Sequence, residues 1–97
     1  MKLKKVSDFL EHVLMEELAA TEHERWSHWQ KYMHSLCTGN ADGSLIIPAD
    51  KVEHWEKLIA TPYAELSEHS KQSDRDQVMK YVECIRESGK DYAVIIC

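Results

Sequence analysis

The chain has 97 residues, room for one domain, 1–97, and no second. It carries 12 Lys and Arg against 17 Asp and Glu, a formal net charge of −5, which argues against non-specific nucleic-acid binding, because that needs phosphates neutralised by basic side chains. Hydrophobic residues make up 43%, enough for a modest core, while no apolar run approaches the roughly 18–20 residues of a membrane span.

The opening, Met1 to Lys5, is basic, but Ser7-Asp8 and Glu11-His12 keep the next stretch from being continuously apolar. No apolar h-region and no small-residue cleavage site appear, so no secretory signal is read. A first helix is predicted from Ser7 to Leu36. Ser7 and Asp8 suit an N-cap, with Glu11 three residues after Asp8. Phe9, Leu10, Val13, Leu14 and Leu18 then recur at steps of three and four, and Trp26, Trp29, Met33 and Leu36 continue the pattern. No Gly or Pro interrupts it. Such a helix is about 45 Å long, against a radius of gyration near 13 Å for a compact domain of this size. It must overhang its domain unless it bends, breaks or meets a second subunit. Thr21-x-x-Glu24, a capping-box pattern, marks the place for a break.

Cys37 to Ser44 reads as a loop rich in turn formers. Leu45–Ile47 is short, apolar and β-prone. Pro48 stands where helices accept proline, and a second helix is predicted over 49–60, stopped by Thr61-Pro62. Tyr63 to Ser73 reads as a polar connection anchored by Leu66. A third helix is predicted over 74–87, with Val78, Tyr81, Val82 and Ile85 as its apolar stripe and Gly89 as its C-cap. The tail 92–97 is short and apolar, a candidate partner for 45–47 in a two-stranded ribbon. The fold class expected is all-α: three main helices in a small bundle, with at most that ribbon.

Three cysteines at wide spacing, Cys37, Cys84 and Cys97, do not make a disulfide framework. Reduced thiols and a cytoplasmic location are expected. The histidine spacings do not complete a metal site. His23 and His28 are five apart, roughly 140° around a helix. His34 and Cys37 have ligand spacing but supply two ligands where structural zinc wants four. No cofactor is expected. No phosphate-binding Gly loop and no nucleophile elbow occur, so the chain does not read as an enzyme.

Two places carry recognisable chemistry. In Glu22-His23-Glu24-Arg25-Trp26, His23 shares the apolar edge of the first helix, as a core-edge residue or a ligand contact. Arg75 continues the apolar stripe of the third helix. As a structural clamp it would take a carboxylate from the first helix, Glu22 or Glu24, with Asp74 at the helix start. Alternatively Arg75, Lys71 and Tyr63 face a pocket and bind an anionic or planar ligand. Trp26, Trp29 and Tyr32 cannot all point inward, and an exposed member favours an interface.

Leu18-Ala19, Glu22-His23-x-x-Trp26, Thr61-Pro62-Tyr63-Ala64-Glu65-Leu66 and Lys71-x-x-Asp74-Arg75 together resemble the ryanodine-receptor repeat, over about 18–81. Ile47-Pro48-Ala49 ahead of Trp55 is similar to small stand-alone phage and prophage members. The region Cys37-Thr38-Gly39-Asn40 departs from the family, which commonly has a Gly-Trp there. The resemblance implies a non-enzymatic binding module for a small nucleotide-like or anionic ligand, its site built from His23, Trp26, Tyr63, Lys71 and Arg75. The other reading is a protein-interaction or homo-oligomeric assembly module without a small ligand. Neither implies nucleic-acid or membrane partners.

Overall fold

The computed structural model describes residues 8–90, and Ser7 and the tail 92–97 lie outside them. The chain enters through a π-helical turn, Phe9–Leu14, which runs without interruption into α1, Met15–Ser35. The continuous form of the first helix is therefore the one adopted. Thr21 does not break it, because its hydroxyl donates to the Glu17 carbonyl at 3.0 Å and is not available to cap a new start. Helix α1 closes with the Leu36 and Cys37 amides donating to the Met33 and His34 carbonyls, a tightened last turn.

A small hairpin comes next. Strands β1 (Thr38–Gly39) and β2 (Leu45–Ile46) pair antiparallel, with Thr38 opposite Ile46 and Gly39 opposite Leu45. The turn is held by Asp42, whose Oδ1 accepts from the Ser44 amide at 2.9 Å. Gly43 takes φ 90°, open to glycine without strain. The strand partner of 45–46 is thus its sequence neighbour 38–39. The expected partner, 92–97, falls outside the described residues.

Helix α2 occupies Ala49–Ala60, the span read from the sequence. The Pro48 carbonyl accepts from the Lys51 and Val52 amides. At the other end Thr61 is extended, as a residue before proline prefers. A 3-10 turn, Tyr63–Glu65, leads on.

Helix α3 runs over Glu68–Lys90, six residues earlier than the predicted start at 74. Ser67 is the cap: its Oγ accepts from the Ser70 amide at 3.1 Å, and its carbonyl from the Lys71 amide. The first two turns have no apolar stripe, which is why periodicity did not reveal them. Gly89 lies inside the helix and does not end it.

Helix α1 packs lengthwise against α3, and the π turn that begins the same rod also touches α3. Among the described residues only Phe9 and Leu14 are buried, 2% and 4% exposed. They are five apart. An α-helix would rotate them roughly 140° from one another, whereas the wider π turn draws them toward one side. Of the predicted stripe on α3, Tyr81, Val82 and Ile85 are half-buried and Val78 is exposed. The molecule extends 56 × 36 × 16 Å, with a radius of gyration of 18.6 Å.

Ala20 sits exposed in the middle of the rod. Replacing it by Gly is expected to lower stability by about 1 kcal/mol, and by Pro about 3 kcal/mol, read as the shift of the urea unfolding curve. A Pro variant that unfolds with the wild type would place a break there.

Candidate functional site

Three helix faces meet at one end of the slab around an open groove of about 720 Å³. Helix α1 contributes Arg25, His28, Trp29 and Tyr32, spaced i, i+3, i+4, i+7 along one face. Helix α2 contributes His54, Trp55, Leu58 and Ile59. The early turns of α3, those hidden from periodicity, contribute His69, Ser70, Ser73, Asp74 and Gln77, and Leu66 precedes them. Trp29 organises the floor. Its ring meets Trp55 edge-on at 5.8 Å and lies tilted against Tyr32 at 5.6 Å. The Trp29–Trp55 contact fastens α2 to α1.

Next to the groove, a polar clamp ties α1 to α3. The Tyr81 hydroxyl donates to Glu22 Oε2 at 2.6 Å and accepts from Arg25 Nε at 2.9 Å, while Arg25 also bonds Glu22 Oε1. The guanidinium first, and the phenol second, hold the Glu22 carboxyl below its ordinary value. Tyr81 is pushed up, chiefly because its proton is donated to that carboxylate.

The expected clamp is corrected in its partners. Glu22 belongs to a clamp, but with Arg25 and Tyr81. Arg75 is exposed and donates to Glu68 Oε2 at 3.2 Å and Gln72 Oε1 at 3.4 Å on its own helix. The early helix start explains this: it puts Glu68 two turns below Arg75 on the same face. Glu24 is exposed on α1, and Asp74 lines the groove. The five residues expected around a ligand fall into two groups. His23 and Trp26 stack on one another at 6.2 Å on α1. Lys71 Nζ stands 5.7 Å from the Tyr63 ring centroid, near Arg75. None of the five lines the groove. Arg25 and Tyr81, missed in the sequence, carry a visible signal: Arg25 follows Glu22 by three on a helix, and Tyr81 is the polar-tipped member of the α3 stripe.

Among the described residues no group of three His, Cys, Asp or Glu side chains is placed to hold a metal. The Cys37 thiol is directed to the Met33 carbonyl at 3.3 Å. No described helix is long and apolar enough to cross a membrane. No protein-family model, curated protein or solved structure matches the chain; the likeness to the ryanodine-receptor repeat rests on its motifs.

Because Glu22 is held low, its carboxylate favours the folded state above the ordinary value of 4.5, and that contribution is lost as pH falls through the lowered value. Tyr81, raised above 10.0, favours the fold below that pH and loses its contribution as pH rises through the raised value. Tyr81→Phe is expected to abolish the alkaline loss and shrink the acid one, since Arg25 still holds Glu22; thermal melts across pH read both. Arg75→Ala and Lys71→Ala are both expected to stay folded and to melt close to the wild type, because their partners Glu68, Gln72 and Tyr63 all lie on α3 or the turn just before it and Arg75 is exposed.

Proposed function

We propose that this chain is a non-enzymatic protein-interaction module that works as a homo-oligomer. The observation that carries the reading is surface. Among the described residues only Phe9 and Leu14 are buried. Much of what the chain exposes is large and apolar: Trp26, Trp29, Tyr32, Ile59, Val78 and Met79 are all open. Aromatic residues and Met are enriched where proteins meet, and Trp29, Tyr32 and Ile59 share one groove. The cytoplasmic location expected from the cysteines belongs to the same proposal.

A small-ligand reading has one observation in its favour. The groove volume of about 720 Å³ falls within the roughly 300–1,000 Å³ usual for small-molecule sites. Its lining, however, is a different set from the five residues that the family resemblance implies.

Native mass spectrometry of freshly purified protein separates the two. A multiple of the chain mass with nothing added is the expected result, together with a melting temperature that rises with protein concentration. A monomer carrying a retained small molecule would put the ligand reading in its place.

A further inference from the structure

We infer that the groove binds a small organic cation: an ammonium group on an apolar or aromatic body, held by the rings of Trp29, Tyr32 and Trp55 and by the carboxylate of Asp74. This goes beyond the assembly reading and does not depend on it, because the groove is formed within one chain.

The first observation is the aromatic wall. Trp29 stands in the middle, at 65° to Trp55 and 37° to Tyr32. Three rings in three planes make a corner and not a flat stack. Trp29 is 39% and Tyr32 51% exposed, so ring surface is left over after the three have met one another. Ring faces carry the negative part of the aromatic quadrupole and attract a cation within about 6 Å, indoles most strongly.

The second is the sign of the free charge. Of the fourteen residues lining the groove, only Arg25 and Asp74 are formally charged. The Arg25 guanidinium is already bound to Glu22 and Tyr81. Asp74 has no hydrogen bond and no ion pair among the described residues. Its neighbours along α3, Lys71 and Arg75, both pair with Glu68. The three histidines of the lining count as neutral at pH 7. The groove thus offers one unanswered charge, and it is negative. The whole chain, at −5, adds a field that draws cations toward it.

The third is size. About 720 Å³ is the scale of a small-molecule site and far more than a bare ion fills. A hard metal ion wants several oxygen ligands, whereas an ammonium on an organic body needs one carboxylate and apolar walls. Leu58, Ile59 and Leu66 supply those walls. The sign is opposite to that of the anionic ligand implied by the ryanodine-receptor likeness, for which the groove has no free guanidinium or ammonium.

Three probes of one size separate charge from shape: phenethylamine, phenethyl alcohol and phenylacetate. At about pH 8 the amine is a cation and an ordinary imidazole is neutral. Tryptophan fluorescence titrations are expected to show the amine binding at least about tenfold more tightly than the alcohol, with phenylacetate weakest. Asp74→Asn keeps the shape and removes the charge. It is expected to weaken the amine about threefold to tenfold and to leave the alcohol unchanged. Asp76→Asn removes the same charge outside the groove and is expected to bind all three probes as the wild type does.

Indole N–H signals in a proton–nitrogen correlation spectrum of the wild type locate the site without any substitution. Those of Trp29 and Trp55 are expected to shift with the amine, and that of Trp26, outside the groove, to stay. Equal binding of amine and alcohol, tighter binding of phenylacetate, an Asp74→Asn variant that binds the amine like the wild type, or shifts confined to Trp26 each overturn the proposal. So does the absence of saturable binding by all three probes. The assembly reading is decided by oligomer mass, so the two fail separately.

Discussion

An uninterrupted helical rod, the turn Phe9–Leu14 continued by the 21 residues of α1, is the constraint on which the other elements depend. At about 1.5 Å per residue it is some 40 Å long. A chain this short cannot wrap a rod of that length. Helix α3, with 23 residues, is spent lying alongside it. The remaining 12-residue α2 and a minimal hairpin reach only one end. The result is an elongated molecule, and many of its apolar residues stay on the surface because there is too little chain to bury them. Burial of Phe9 and Leu14 supplies only about 3–6 kcal/mol of transfer energy, modest beside the ordering entropy of a domain.

Two kinds of attachment hold the molecule together. Between α1 and α3 the tie is polar: phenol, carboxylate and guanidinium saturate one another across the helix contact. Between α1 and α2 it is aromatic, one indole edge on another. The polar tie is directional and sets the register of the two long helices. The aromatic tie is less directional, so α2 is held less tightly to α1 than α3 is.

What was legible in the residues tracks the signal each element carries. Helix α2 is bounded by Pro48 and Thr61-Pro62, and those steric stops placed both of its ends. The continuity of the rod was legible because nothing in it favours a stop more than Thr21 does, and a threonine that bonds back to its own helix is no stop. The start of α3 was hidden because its first turns touch no core and carry no apolar period; Ser67 as a cap was the overlooked clue. That one boundary propagated into the site. With the helix beginning at 74, Glu68 is not a neighbour of Arg75, and the guanidinium is sent across to α1 for a partner it does not need. The groove itself was illegible because it depends on how three helices converge, and no spacing within one helix encodes that. The likeness of short motifs to the ryanodine-receptor repeat pointed to residues that do sit near one another in pairs, His23 with Trp26 and Lys71 with Tyr63. It did not point to the concave surface.

The π turn has a consequence for how this chain tolerates insertions and deletions. A π turn is an α-helix carrying one surplus residue, its hydrogen bonds reaching one position farther. Removing any single residue from the exposed positions between Phe9 and Leu14 lets the segment relax into ordinary α-helix with no loss of helical bonding. Phe9 and Leu14 are then four apart, about 40° around an α-helix, so they stay on one side. In an ordinary packed helix a one-residue deletion turns everything ahead of it by about 100° and splits the buried face. Here the surplus residue is slack that the turn can give up: its loss leaves the buried pair together, whereas substituting Phe9 or Leu14 themselves removes it.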